Sequence, residues 1–209
     1  MLFYCSRHGE SVFNAERRVQ GQLDIPLSKN GQQQSKALAS VLSSEPLDVI
    51  VASPLRRAIE TAEVIATELH LSLKIDPRLA EINAGIFQGL KWDEIEIKYP
   101  NEAARWKSND PDFMIPKGES RRTLMLRGQA AFEAIRADGH THVAVIAHGE
   151  LLAATFKSLL KIPSSLNPFV FHNGAISRLE WSSTIRLLTL NEQHHLQKAK
   201  VDSERTGDL

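Results

Sequence analysis

The sequence lacks several features that would place it outside the ordinary globular domains. Only one of its 209 residues, Cys5, is a cysteine, which excludes an internal disulfide framework and favours a reducing compartment. Basic and acidic residues number 25 each, so the formal net charge is zero and offers no global field for nucleic acid or an anionic membrane. We therefore expect neither partner, and any anion must be bound by a local group of residues.

Long apolar runs are also missing, and we expect no secretory signal. The apolar start at Met1–Cys5 leads directly into the polar residues 6–9, and two later apolar runs stop at His148 and Lys157. None approaches the roughly 20 residues needed to span a bilayer. We expect a cytoplasmic protein.

What the sequence does contain is an alternation of apolar runs and amphipathic segments. Three runs have the length and composition of buried strands: 2–6, 48–52 and 142–147. Four segments with helical spacing of apolar residues begin near the following residues: Ser28, Leu55, Ser120 and Gly149. Residues 176–181 and 184–190 are typical of an antiparallel hairpin. The pattern predicts an α/β fold with a mainly parallel sheet.

One stretch interrupts this alternation. Residues 82–118 have little periodicity, and five of the thirteen aromatic residues lie within 87–113, so we expect a small cap inserted into a domain that spans 1–191. These aromatic residues are either the core of the cap or a wall of the substrate site. Residues 192–209 are polar, and we expect a frayed tail.

The ends of the three predicted strands carry related residues. The three segments are Arg7-His8-Gly9-Glu10-Ser11, Ser53-Pro54-Leu55-Arg56-Arg57 and His148-Gly149-Glu150. Because ligands of parallel sheets bind at the carboxyl ends of the strands, we expect these residues at one edge. Two arginines and two histidines around one point form a phosphate pocket. One imidazole can attack phosphorus while the other donates to the transition state.

In their order along the chain, these motifs resemble the histidine phosphatase superfamily, in its phosphoglycerate mutase-like branch. The resemblance covers most of the chain and rests on these segments: 7–11 with Asn14, Gln20-Gly21, 24–28 with Gly31, 53–58 with Thr61, Glu81 with Gly85 and Gly89, 118–120, and 147–150. A lone Arg-His-Gly is a weak signal, whereas the ordered series is specific. The resemblance implies a three-layer α/β/α fold and phosphoryl transfer through a phosphohistidine.

The resemblance also implies the catalytic roles. His8 would be the nucleophile, Arg7 and Arg57 would hold the phosphoryl oxygens, and His148 would stabilise the transferring group. Glu81 would protonate the leaving oxygen and later activate water. No metal and no cofactor is expected, since the arginines and His148 supply the positive charge.

The residues expected to bind substrate follow from the same resemblance. They are Arg7, Asn14, Gln20, Gly21, Arg57 and Gly149. Arg57 is assigned rather than Arg56 because the arginine of the family directly precedes an alanine, here Ala58. Arg56 is then expected on the surface.

The preferred hypothesis is a phosphomonoesterase that acts on a small phosphorylated metabolite, and two alternatives stay open. A bisphosphoglycerate-dependent mutase would share every transfer residue, but residues 82–90 lack the tyrosine and the extra lysines that the resemblance implies for mutases. An inactive phosphoester-binding or scaffold protein on the same fold is the second, and the intact nucleophile and acid argue against it. A homodimer is one open form of assembly.

Overall fold

The computed structural model describes residues 1–163, 166–199 and 201, and its strands form one sheet. The strands are β1 (Leu2–Arg7), β2 (Val49–Ala52), β3 (Leu73–Ile75), β4 (His142–Ala147), β5 (Ile176–Trp181) and β6 (Ile185–Glu192). Their order is β3-β2-β4-β1-β5-β6, in which the first four strands are mutually parallel and β5 pairs antiparallel with both β1 and β6. The predicted α/β fold with a mainly parallel sheet is confirmed.

Helices cover both faces of this sheet. They are α1 (Val12–Ala15), α2 (Lys29–Leu42), α3 (Arg56–Leu69), α4 (Trp92–Lys98), α5 (Pro100–Lys107), α6 (Arg121–Ala137), α7 (Gly149–Leu159) and α8 (His194–Lys198), with single 3₁₀ turns at Pro77–Leu79 and Gly85–Phe87. Helices α2 and α3 pack on one face and α6 and α7 on the other, which makes three layers. Within the described ranges, no helix has both the length and the apolar character to cross a membrane.

The central strands are buried on both faces, which explains why they are continuous apolar runs in the sequence. Phe3 of β1 and Val143 of β4 belong to the core under α6 and α7, whereas their neighbours Tyr4 and Ala144 belong to the core under α2 and α3. This alternation follows from the two-residue period of a strand.

Serine side chains cap the amino ends of two of the long helices. The Ser28 hydroxyl accepts from Gly31 N at 3.0 Å at the start of α2. The Ser120 hydroxyl accepts from Thr123 N at 3.2 Å at the start of α6. Each bond satisfies an N–H group that has no partner within the helix.

The segment expected to form a cap lies between β3 and α6 and contains buried aromatic residues. Phe87, Trp106 and Phe113 are buried. The ring centroid of Phe87 lies 6.1 Å from that of Trp92 and 6.5 Å from that of Tyr99. The three buried side chains belong to the same hydrophobic core as α6 and α7, so of the two roles open to them the structure supports packing.

The polar end of the chain differs from the expected frayed tail. Glu192 completes β6 and bonds to Arg178, and α8 follows it and packs beside α2. Leu196 is fully buried, so one apolar side chain anchors the otherwise polar helix. The remainder of the expected tail, Lys200 and 202–209, lies outside the described residues.

Candidate active site

The carboxyl ends of β1, β2 and β4 meet because these strands are neighbours in the sheet. Arg7 of β1 pairs with Ala147 of β4, and His8 N donates to Ala147 O at 3.0 Å. Ser53 continues β2 and donates its N–H to β4 at 3.0 Å. The structure therefore brings His8, Ser53 and His148 to one edge of the sheet.

His8 is buried, and contacts at both ring nitrogens fix its orientation. Its Nδ1 lies 2.6 Å from Gly9 O, and a carbonyl can only accept, so Nδ1 carries the proton. Its Nε2 accepts from Arg57 Nε at 3.1 Å. Burial first, and then the charges of Arg57 and Arg7, hold the pKa of His8 well below its usual value, although the bond to Gly9 acts in the opposite direction. The ring is therefore neutral, with the lone pair of Nε2 inside the site.

Arg57 is held by contacts to three groups. Besides the bond to His8, its Nη1 donates to Leu23 O at 3.0 Å and its Nη2 to Gly21 O at 2.7 Å. Gly21 has a φ of +52°, a conformation that is strained for residues with a side chain. Arg57 lies in the first turn of α3. These contacts fix the plane of its guanidinium.

The chain between α7 and β5 supports the end of β1. Arg7 Nη1 donates to Phe171 O at 3.0 Å, and Gly174 N donates to Arg7 O at 3.0 Å. Asn173 Nδ2 donates to His8 O at 2.9 Å. The backbone and the side chain at the end of β1 are thus both fixed by this segment.

His148 is fully buried beside His8, with 5.1 Å between the two ring centroids. Its Nε2 lies 2.6 Å from Ser53 Oγ, and its Nδ1 has no hydrogen-bond partner among the described residues. Burial is the main cause that holds the pKa of His148 well below its usual value, and the charge of Arg57 is the next. This ring is also neutral.

The side chain of Glu81 lies at the amino end of α7, the helix that begins directly after His148. Its Oε1 accepts from Ile82 N at 2.8 Å and from Leu151 N at 3.1 Å, and its Oε2 accepts from Glu150 N at 3.3 Å. The first turn of a helix has N–H groups free to donate, so it is a natural place to hold a carboxyl group.

Arg127 of α6 holds the backbone at Glu81. Arg127 Nη2 donates to Glu81 O at 2.8 Å and to Glu119 Oε1 at 2.7 Å. Glu119 Oε1 also accepts from Asn83 N at 2.7 Å. The ion pair therefore fixes the backbone at Glu81 and Asn83.

Asn14 and Gln20 meet at Ser11. The Ser11 hydroxyl donates to Gln20 Oε1 at 2.6 Å, and Ser11 N donates to Asn14 Oδ1 at 3.1 Å. Because Oδ1 faces Ser11, the group that Asn14 can offer to an anion is its Nδ2 donor. Gly149, the remaining residue expected to bind substrate, is the first residue of α7.

The two neighbouring arginines have different environments. Arg57 is buried, whereas the Arg56 side chain is 54% exposed and pairs with Glu60 at 2.7 Å. This placement agrees with the expectation that Arg56 is a surface residue.

Three supporting residues, Ser53, Asn173 and Arg127, received no role in the sequence analysis. Ser53 stands inside a matching motif, which is a signal that could have singled it out. Asn173 and Arg127 lie in segments without such a motif, and their contacts to His8 and Glu81 join positions 165 and 46 residues apart.

Buried arginines and histidines grouped at the carboxyl edge of a parallel sheet are typical of α/β proteins that bind anions. Comparison with known proteins defines the class more closely. Residues 3–193 match the family described as histidine phosphatase superfamily (branch 1). The chain belongs to this superfamily.

Relatives and solved structures of similar extent bear different names. "Probable phosphoglycerate mutase GpmB" of Shigella boydii serotype 18 is 32% identical over 207 residues, which covers 95% of this chain and 96% of the relative. A mycobacterial glucosyl-3-phosphoglycerate phosphatase in complex with VO3 is 33% identical, with a TM-score of 0.83 and coverage of 91% of this chain and 98% of that chain. YhfR of Bacillus stearothermophilus has a TM-score of 0.86 at 26% identity, with coverage of 93% and 98%.

Proposed function

We propose that this protein is a metal-independent phosphomonoesterase that hydrolyses a small phosphorylated metabolite through a phosphohistidine on His8. One observation carries the proposal. His8 is a neutral imidazole protonated at Nδ1, and its Nε2 lies within hydrogen-bond distance of the guanidinium of Arg57. A nucleophile and a phosphate-binding cation thus share one point.

Substrate binding would use the fixed donors around His8. Arg7 and Arg57 present planar sets of N–H groups that match phosphoryl oxygens, and Asn14 adds its amide. In the structure the Arg57 Nε–H is directed at His8 Nε2. A phosphoryl oxygen would take over this N–H and release the lone pair of Nε2 for attack.

The first chemical step forms a bond between His8 Nε2 and phosphorus and breaks the bond from phosphorus to the alcohol oxygen. Glu81 gives its proton to that oxygen, because an alkoxide is a poor leaving group. Donors fixed around the phosphoryl group, including His148, stabilise the charge that develops on its oxygens.

The second step returns the enzyme to its starting state. Water gives a proton to the Glu81 carboxylate and attacks phosphorus, and the bond from phosphorus to Nε2 breaks. Inorganic phosphate leaves, and His8 is again neutral with its proton on Nδ1.

The names of the relatives support phosphoester chemistry but differ in the reaction, so a mutase is the second candidate. The cap favours hydrolysis. Residues 82–118 contain five basic and six acidic residues: Lys91, Lys98, Arg105, Lys107 and Lys117 against Asp93, Glu94, Glu96, Glu102, Asp110 and Asp112. A mutase must retain a carboxylated, phosphorylated substrate while it turns over, which requires an excess of positive charge that this segment does not have.

The test combines product analysis with trapping of the intermediate. Without added metal, the protein should release inorganic phosphate from several phosphomonoesters and should interconvert 2- and 3-phosphoglycerate slowly or not at all. Brief acid-free quenching with a ³²P-labelled substrate should leave base-stable label on His8. Label on His148, or unchanged turnover in His8→Ala, would refute the assignment, and efficient interconversion that depends on 2,3-bisphosphoglycerate would identify a mutase.

A further inference from the structure

The contact between Ser53 and His148 determines more than the position of the ring. Ser53 is fully buried where β2 ends, and its Oγ lies 2.6 Å from His148 Nε2. The same Oγ accepts from Leu55 N at 3.3 Å. Ser53 has no other side-chain hydrogen bond among the described residues.

These two contacts assign the direction of the bond. The Leu55 N–H can only donate, so it uses a lone pair of the Ser53 oxygen. The hydroxyl proton then has one acceptor within reach, His148 Nε2. If Nε2 donated instead, the hydroxyl proton of Ser53 would have no acceptor among the described residues, which is unfavourable at a fully buried position.

The direction of this bond sets the tautomer of His148. A neutral imidazole carries one proton, and Nε2 accepts, so the proton is on Nδ1. Nδ1 is buried and has no partner among the described residues. His148 therefore holds an N–H donor ready for a ligand, beside the ring of His8.

We infer that Ser53 is a positioning residue that holds His148 as the Nδ1–H tautomer, so that the ring donates to the transferring phosphoryl group. The inference rests on the proposed function, because it takes the phosphoryl oxygen as the acceptor. In the opposite tautomer a nitrogen lone pair would face the phosphoryl oxygens and repel them. Ser53 thus selects between a stabilising and a destabilising His148 without touching the substrate.

The wild-type protein provides the direct test. Long-range ¹H–¹⁵N correlation spectra distinguish the two tautomers, and the His148 signals are identified by their loss in His148→Asn. We expect a protonated Nδ1 and an unprotonated Nε2, with the Nδ1 resonance shifting when inorganic phosphate is added. An Nε2–H tautomer would overturn the inference even if the protein is an active phosphatase. The expected tautomer in a protein that releases no phosphate from any ester would instead leave the assignment intact and refute the proposed function.

Variants test the consequence for turnover. Ser53→Ala should lower kcat by about 10-fold to 100-fold with a smaller change in KM, which is the size of effect seen when a metal-ligating histidine loses the partner that fixes its tautomer. It should also change the tautomer signature of His148. Ser53→Thr keeps the hydroxyl and should retain both the wild-type kcat and the wild-type tautomer signature. Ser35→Ala is the matched control, because Ser35 is also a fully buried serine but donates to Gly31 O at 2.8 Å, within α2. An unaltered kcat and tautomer in Ser53→Ala would refute the role, and if this variant fails to fold, the wild-type spectra decide.

Discussion

Arg56 and Arg57 are adjacent in the sequence, so replacing each by alanine separates the effect of position from that of side-chain chemistry. Arg57→Ala removes a buried guanidinium that contacts His8, Gly21 and Leu23. Arg56→Ala removes an exposed side chain whose ion pair is with Glu60, one turn along the same helix. Both changes are compatible with a helix, so backbone propensity contributes almost equally.

The structure sets the expected magnitudes. Loss of one preorganised transition-state donor typically lowers kcat by a factor of 10² to 10³, which corresponds to about 2.7–4 kcal/mol. Arg57→Ala should also destabilise the fold, because the buried carbonyl of Gly21 loses its donor, which costs about 1–3 kcal/mol, and the half-buried carbonyl of Leu23 loses another. The exposed i,i+4 pair of Arg56 is worth only about 0.3–0.5 kcal/mol, so Arg56→Ala should have nearly wild-type activity and stability.

The assay is steady-state kinetics with an alkyl and an aryl phosphate, beside urea unfolding of each variant. Arg57→Lys serves as a second variant, since a lysine keeps the charge but cannot reproduce the planar set of donors, and it should recover little activity. If Arg56→Ala were the impaired variant, the assignment within this segment would be wrong by one residue. Near-wild-type turnover in Arg57→Ala would remove Arg57 from the reaction altogether.

Two further predictions concern the acid and the histidines. Glu81→Gln should lower kcat by roughly 10² to 10⁴ for alkyl phosphates but far less for aryl phosphates, whose leaving oxygen needs no proton; equal loss on both would assign Glu81 to positioning. His8 and His148 have folded-state pKa values lowered from 6.5, so the unfolded chain binds more protons below about pH 6.5, and the free energy of unfolding should fall as pH falls through that range. For His8→Gln, the free energy of unfolding measured in urea should change with pH less steeply than in the wild type, by about 1.4 kcal/mol per pH unit. The same pH dependence in both proteins would show that His8 titrates normally when folded.

The central sheet and its edge could be predicted because local composition determines them. Strands buried on both faces must be apolar throughout, and β1, β2 and β4 are visible as such in the sequence. The segments that end them turn polar at once, and parallel strands place these ends together. The observed edge of the sheet follows from those two properties.

The short elements between α3 and α6 and the supporting contacts of the site could not be predicted from the same signals. Helices α4 and α5 have seven and eight residues, too few for a clear apolar period, and the 3₁₀ turns are shorter still. Strand β3 has three residues, of which two are exposed, so no apolar run marks it. The bond from Ser53 to His148 joins positions 95 residues apart and depends on the tertiary fold alone.

The electrostatics of the site explain why two histidines and an arginine can share one buried point. The contacts of Arg57 with Gly21 and Leu23 use neutral carbonyl oxygens, so these two bonds fix the guanidinium without adding a negative charge. That charge is the second cause, after burial, of the lowered pKa of both His8 and His148. A carboxylate in place of those carbonyls would weaken the attraction for a phosphate dianion and would raise the pKa of each ring toward the protonated, non-nucleophilic form. The charge of Arg57 therefore both attracts the anion and, after burial, lowers the pKa of the two imidazoles.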